Sequence, residues 1–116
     1  MLIERQEVLQ RFSQVVKYQD TVYLSGVVPT DLSAGMAEQA DEVFAKIDQL
    51  LATAGASKST LLSMQCFVSS FDEFDAFNTV YDSWIDPEAK PARATVEAAL
   101  YDPRVKVEIV CIAAAT

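Results

Sequence analysis

Histidine is absent from the 116 residues. That removes Ser-His and Cys-His nucleophilic machinery and the usual imidazole ligand of zinc and other transition metals. Any chemistry falls to arginine, carboxylates, hydroxyls, amides, backbone groups and water, and neither a metal site nor a cofactor is expected. Cysteine is scarce. Cys66 and Cys111 stand alone inside apolar runs rather than in a Cys-x-x-Cys pair, which reads as two buried free thiols. Basic residues are also few: 9 against 17 acidic ones, for a net charge of −8. With no basic run or basic-aromatic stripe, such a chain repels a phosphate backbone, so nucleic-acid binding is disfavoured. No apolar run approaches the roughly 18 residues that span a bilayer, and residues 1–5 lack a signal-peptide profile. No membrane partner is expected, and the cytoplasm is the default location.

What is present suits one compact domain, 1–116, with a single core, since 51% of the residues are hydrophobic. Residues 2–6, 15–18 and 21–25 read as short strands, with a turn at Gln19-Asp20. Gly26 follows, where a turn or a close ligand approach needs no Cβ. Met36, Ala40, Val43, Phe44, Ile47, Leu50, Leu51 and Ala54 recur at helical spacing, and Gly55 is placed as a C-cap. The strand 61–69 carries Leu62, Met64, Cys66 and Val68 as its apolar face. Ser70 and Glu73 read as a capping box. The helix they open bears Phe71, Phe74, Phe77, Tyr81, Trp84 and Ile85 at three-to-four spacing, with Asn78 on the same stripe. The final strand, 105–115, begins by alternating and ends apolar on both faces, which requires cover on both sides. Two helices cover one face of such a sheet, so curling or a second subunit must close the other. The order β-β(-β)-α-β-α-β-β is an α+β domain.

The candidate site centres on Pro91-Ala92-Arg93, just after a turn-forming segment. Arg93, Thr95 and Glu97 point one way from the following strand; Ala94, Val96, Ala98 and Leu100 point the other. A guanidinium at the mouth of a rigid strand is a carboxylate receptor, because its fork of donors matches two oxygens at once.

Several segments together resemble the RidA/YjgF family of reactive intermediate deaminases, also catalogued as endoribonuclease L-PSP. They are Phe12-Ser13-Gln14, Leu24-Ser25-Gly26 with the Pro29 loop, the helix end at Ala54-Gly55, residues 74–81, Pro91-Ala92-Arg93, and Val107-Glu108-Ile109 before Ile112-Ala113. The resemblance covers nearly the whole chain. It implies a chorismate-mutase-like fold assembled as a homotrimer around a central barrel, with a pocket at each subunit interface. It also implies hydrolysis of 2-imino acids to 2-keto acids and ammonia without a cofactor. Carried over, Arg93 matches the carboxylate-binding arginine, the backbone at Thr95 and Gly26 match ligand contacts, and Asn78 matches a pocket asparagine. Phe12 stands where active deaminases have a tyrosine. Val110 stands where they tend to have a glutamate, and Glu108, on the same strand face but about 6–7 Å away, does not simply take its place.

Two functions follow from different classes. One is an imine deaminase anchored by Arg93; the other is a non-catalytic binder of small carboxylates or keto acids, with Phe12 and Val110 making a drier pocket. A ribonuclease fits poorly with the charge and the missing histidine.

Overall fold

The computed structural model describes residues 2–115. Strands β1 (Ile3–Val8), β2 (Ser13–Tyr18) and β3 (Thr21–Leu24) form an antiparallel meander. Helix α1 (Met36–Thr53), strand β4 (Leu61–Val68), helix α2 (Phe74–Trp84), strand β5 (Ala92–Glu97) and strand β6 (Val107–Ala114) complete an α+β domain. The six strands run in the order β1-β2-β3-β6-β4-β5, with β4 and β5 parallel and every other neighbouring pair antiparallel.

Both helices lie on one face. On β6, Val107, Ile109, Cys111 and Ala113 are buried, while Glu108, Val110, Ile112 and Ala114 on the other face are only half-buried. The buried set packs under α1 and α2 through Val43, Phe44, Ile47, Leu51, Phe77 and Tyr81. Trp84 pins the helices together: its ring stacks on Phe44 at 4.5 Å and its indole N–H donates to Asp48 Oδ2 at 3.0 Å. The uncovered face keeps large apolar side chains in water, with Tyr23, Leu62 and Val96 all more than two-fifths exposed. Among the described residues no helix is long and apolar enough to cross a membrane.

Helix α1 ends as its glycine requires. Gly55 takes φ +76°, and the bonds Gly55 N–H to Ala52 O and Ala56 N–H to Leu51 O make a Schellman motif. Three local expectations differ. The apolar face of β4 begins at Leu61, not Leu62. Leu61 pairs with Ala113 and Ser63 with Ile112, so Leu62 is the extra residue of a bulge and is pushed into solvent. Ser70 does cap the aromatic segment, accepting from Asp72 N–H at 3.1 Å. The capping box does not close, because the Glu73 carboxylate is drawn away to Lys106 Nζ at 2.9 Å. As a result, Phe71–Glu73 form a 3₁₀ turn and the α-helix proper starts at Phe74.

One buried polar group ties the layers. Gln39 is fully buried on α1; its Nε2 donates to Ala34 O and Arg104 O, and its Oε1 accepts from Lys106 N–H at 2.8 Å. Two of the three bonds hold the chain entering β6, and the third holds the segment before α1. Removing it leaves those backbone groups unpaired in a dry interior, and such groups cost more than the bonds contributed. We therefore expect Gln39→Ala to destabilise the fold by about 3 kcal/mol; a urea midpoint matching that of the wild type would refute this role.

Candidate functional site

The sequence-predicted site residues fall into two groups at different places on the sheet. The first is built on β5. Parallel pairing sets Arg93 beside Met64, Thr95 beside Cys66 and Glu97 beside Val68, all partners on the helix-covered face. Arg93 therefore reaches over α2. Its Nη1 donates to Asn78 Oδ1 at 3.0 Å, and its guanidinium carbon sits 4.6 Å from the centre of the Tyr81 ring, 5.8 Å from Phe77 and 6.0 Å from Phe74. Asn78 and the three rings come from one helical stripe, so the sequence period that builds the core also builds this cradle. Asn78 is thus engaged with Arg93 itself.

Beneath it the buried Thr95 hydroxyl meets the Cys66 thiol. The neighbouring Cys66 thiol is pushed up to about 11 by burial, against the opposing influence of Arg93 and Thr95. Burial raises Cys111 to about 12 as well, so neither free thiol is a nucleophile at neutral pH. Glu97 closes the far end of the strand by accepting from Phe71 N–H at 3.0 Å.

The second group holds Phe12, Gly26 and Val110. Tyr23 pairs with Ile112 and Val27 with Ile109; four steps on one strand match three on the other, so the chain bulges between Tyr23 and Val27, the stretch that holds Gly26. A Cβ on Gly26 would collide with the Glu108 carboxylate. Of the two readings its type leaves open, a turn or a close approach, the structure shows the close approach, and what approaches is Glu108. Val110 sits two residues further along the same face, half-buried. Phe12 is half-exposed and lines, with Gly26, Leu9, Gln14 and Leu50, a groove of about 640 Å³ between the β1–β2 end and α1.

The groove's wall is fixed by charge. Lys46 Nζ donates to Val28 O at 2.8 Å and Thr30 Oγ1 at 2.7 Å and pairs with Glu42. Glu42 accepts from the backbone N–H groups of Thr30 and Asp31. Desolvation alone would raise the Glu42 carboxyl, but these donors outweigh it and bring the group to about 2.

Within one chain the two groups cannot converge. Arg93, Asn78 and Thr95 belong to the helix side at the β5 edge; Glu108 and Val110 face the uncovered side, and Phe12 lies toward the β1–β2 end. Residue-by-residue reading weighs Glu108 and sets it aside as too far along the strand to replace a glutamate at Val110, whereas the structure puts its carboxylate against Gly26. The available signal was a glycine and a carboxylate on neighbouring strands, visible only once the register is known. Among the described residues no group of three His, Cys, Asp or Glu is placed to hold a metal.

The family model for endoribonuclease L-PSP matches residues 3–115. A RutC family protein from Haemophilus influenzae is 40% identical over 114 residues, covering 97% of this chain and 98% of the relative. The crystal structure of a YjgF-family member from Neisseria meningitidis superposes with a TM-score of 0.95 at 34% identity, covering all of this chain and 97% of that one. The chloroplastic reactive intermediate deaminase A of Arabidopsis thaliana is 29% identical over 88% of this chain and 57% of its own length.

The Glu42 anchor carries a pH signature. Its carboxyl is held at about 2, below the ordinary value of 4.5. The stability it contributes is therefore complete above pH 4.5 and is lost as pH falls from there toward 2. Wild-type protein should lose more stability between pH 6 and pH 3 than Glu42→Gln does in parallel urea titrations; equal losses would count against the anchor.

Proposed function

The chain belongs to the endoribonuclease L-PSP family, the RidA/YjgF group, and from that premise we propose that it hydrolyses small 2-imino acids to 2-keto acids and ammonia. The observation that carries this reading is the Arg93 guanidinium, oriented by Asn78 and three rings, with no protein partner for its other donors among the described residues. Such a fork takes a carboxylate with two charge-assisted bonds, each contributing roughly 1.5–3 kcal/mol. The name of the Arabidopsis relative supports the same chemistry.

The pocket is proposed to form between copies of this chain. Its two halves are different surfaces, Arg93 at the β5 edge and Glu108 on the bare face of the interior strand β6, so they meet across a contact between copies, and a head-to-tail contact whose rotation closes makes a ring. The family resemblance makes that ring a homotrimer, and the bare apolar face with Tyr23, Phe67, Val96, Val110 and Ile112 supplies the surface it would bury. Across the contact Arg93 of one copy holds the carboxylate while Glu108 beside Gly26 of the next faces the imine carbon.

The chemistry needs no metal or cofactor. Water adds to C2 of the imine, the C=N electron pair moves to nitrogen, and the proton lost by water passes through the Glu108 carboxylate to that nitrogen. The resulting hemiaminal expels ammonia, which leaves with the hydroxyl proton as the C=O bond forms. A positioned carboxylate contributes about 10²–10⁴-fold through such transfer. Phe12 and Val110 move no proton; their part is to dry the pocket.

A non-catalytic carboxylate binder is the second reading, and the absence of a titratable group at Phe12 and Val110 is what favours it. Calorimetry with 2-ketobutyrate alongside a 2-iminobutanoate hydrolysis assay separates the two, since binding without turnover selects the binder. For the enzyme, Arg93→Ala should abolish both binding and turnover. Glu108→Gln should keep 2-ketobutyrate binding while kcat falls by about 10²–10⁴. The shared pocket has its own test. An equal mixture of the two variants, unfolded and refolded together, should recover about a quarter of the sites, because half the copies carry each intact side. No recovery in the refolded mixture would place both residues in one chain's site and overturn the interface pocket.

A further inference from the structure

We infer that Tyr81 is the positioning residue of the Arg93 anion receptor: its ring face, with the Asn78 carbonyl, sets the guanidinium before any ligand arrives. This rests on the reading of Arg93 as the carboxylate anchor and adds a residue that neither the Pro-Ala-Arg motif nor its spacing singles out. As a member of the aromatic stripe, Tyr81 reads as ordinary core, and it does pack against Phe44 and Phe77 with centroids at 6.0 and 6.4 Å. Three observations say that it does more.

Arg93 sits on an edge strand whose residues are mostly exposed, where an arginine would ordinarily sample many rotamers and lose that freedom on binding. Here the guanidinium carbon lies 4.6 Å from the Tyr81 centroid, closer than to either phenylalanine, within the range of a cation–π contact. Asn78, three residues before Tyr81 and one turn away on α2, takes one Nη1 hydrogen at 3.0 Å. A ring below and an acceptor at one corner fix both the plane and the rotation of the fork. The donors left over are then presented together, as a bidentate carboxylate needs. The charge is felt at the ring in turn: burial pushes the Tyr81 hydroxyl up while the adjacent Arg93 pulls it back. Tyr81 itself is nearly buried, so it touches the receptor and not the ligand.

Variants that separate ring, hydroxyl and acceptor test this. Tyr81→Phe keeps the aromatic face, Tyr81→Leu removes it, and Asn78→Ala removes the acceptor from a half-exposed site that the core does not depend on. Binding of 2-ketobutyrate should weaken about tenfold in Tyr81→Leu and about fivefold in Asn78→Ala, and stay within about threefold of wild type in Tyr81→Phe. A purely packing role would instead lower the melting temperature without this split. With 2-iminobutanoate the same factors should enter KM, leaving kcat within about twofold, as uniform binding requires. The ¹⁵N order parameter of Arg93 Nε in the ligand-free protein gives an independent readout: high in wild type and Tyr81→Phe, low in Asn78→Ala and in any folded Tyr81→Leu. Arg93 equally ordered in Asn78→Ala, or affinity lost as fully in Tyr81→Phe as in Tyr81→Leu, overturns the inference. An ordered Arg93 in a wild-type protein that binds no carboxylate overturns the functional reading and leaves the positioning intact.

Discussion

Two helices on one face of a six-stranded sheet are the constraint from which the rest of this molecule follows. Strand residues alternate, so covering one face of β6 buries Val107, Ile109, Cys111 and Ala113 and leaves Glu108, Val110 and Ile112 on the side with no helix. The same alternation sends Arg93 toward α2. Arg93 and Glu108 are thereby placed on opposite faces of one domain, and no side-chain rotation can bring them together. The division is a consequence of layer architecture, and it makes a second copy part of the chemistry that we propose.

The aromatic stripe of α2 serves two purposes at once. Phe77 and Tyr81 fill the core against Phe44, and with Phe74 they also cradle Arg93 over their rings. Sharing the stripe gives Arg93 a rigid seat without a dedicated scaffold, since the rings are already fixed by packing. At the other edge the same economy is reached through charge, with Lys46 and Glu42 fastening the loop after Gly26 onto α1. Burial holds the Cys66 and Cys111 thiols protonated.

Much of the fold was legible in the chain. The period-3.6 runs marked both helices, Gly55 marked the end of the first, and the alternation after Pro91 gave the facing of Arg93, Thr95 and Glu97 correctly. Where the local signal failed, a tertiary partner had outbid it. Leu62 has the right side chain for a buried strand position but falls on a bulge created by pairing with β6. Glu73 has the right spacing for a capping box, yet Lys106, 33 residues away, offers a full charge in place of a backbone N–H.

By itself the sequence determined the residue types and the chemistry they permit. With no histidine and an excess of acid, it left arginine and carboxylates as the working groups, and its motifs placed Arg93 at a strand mouth and Gly26 at a close approach. Only the tertiary structure decided what those residues meet. That Gly26 makes room for Glu108, that Arg93 lies on Tyr81, and that the two sites sit on opposite faces all depend on strand register and helix placement. Periodicity within a segment fixes which way a side chain points. It carries no information about which segment lies beside it, and that is settled by pairing between strands distant in the chain.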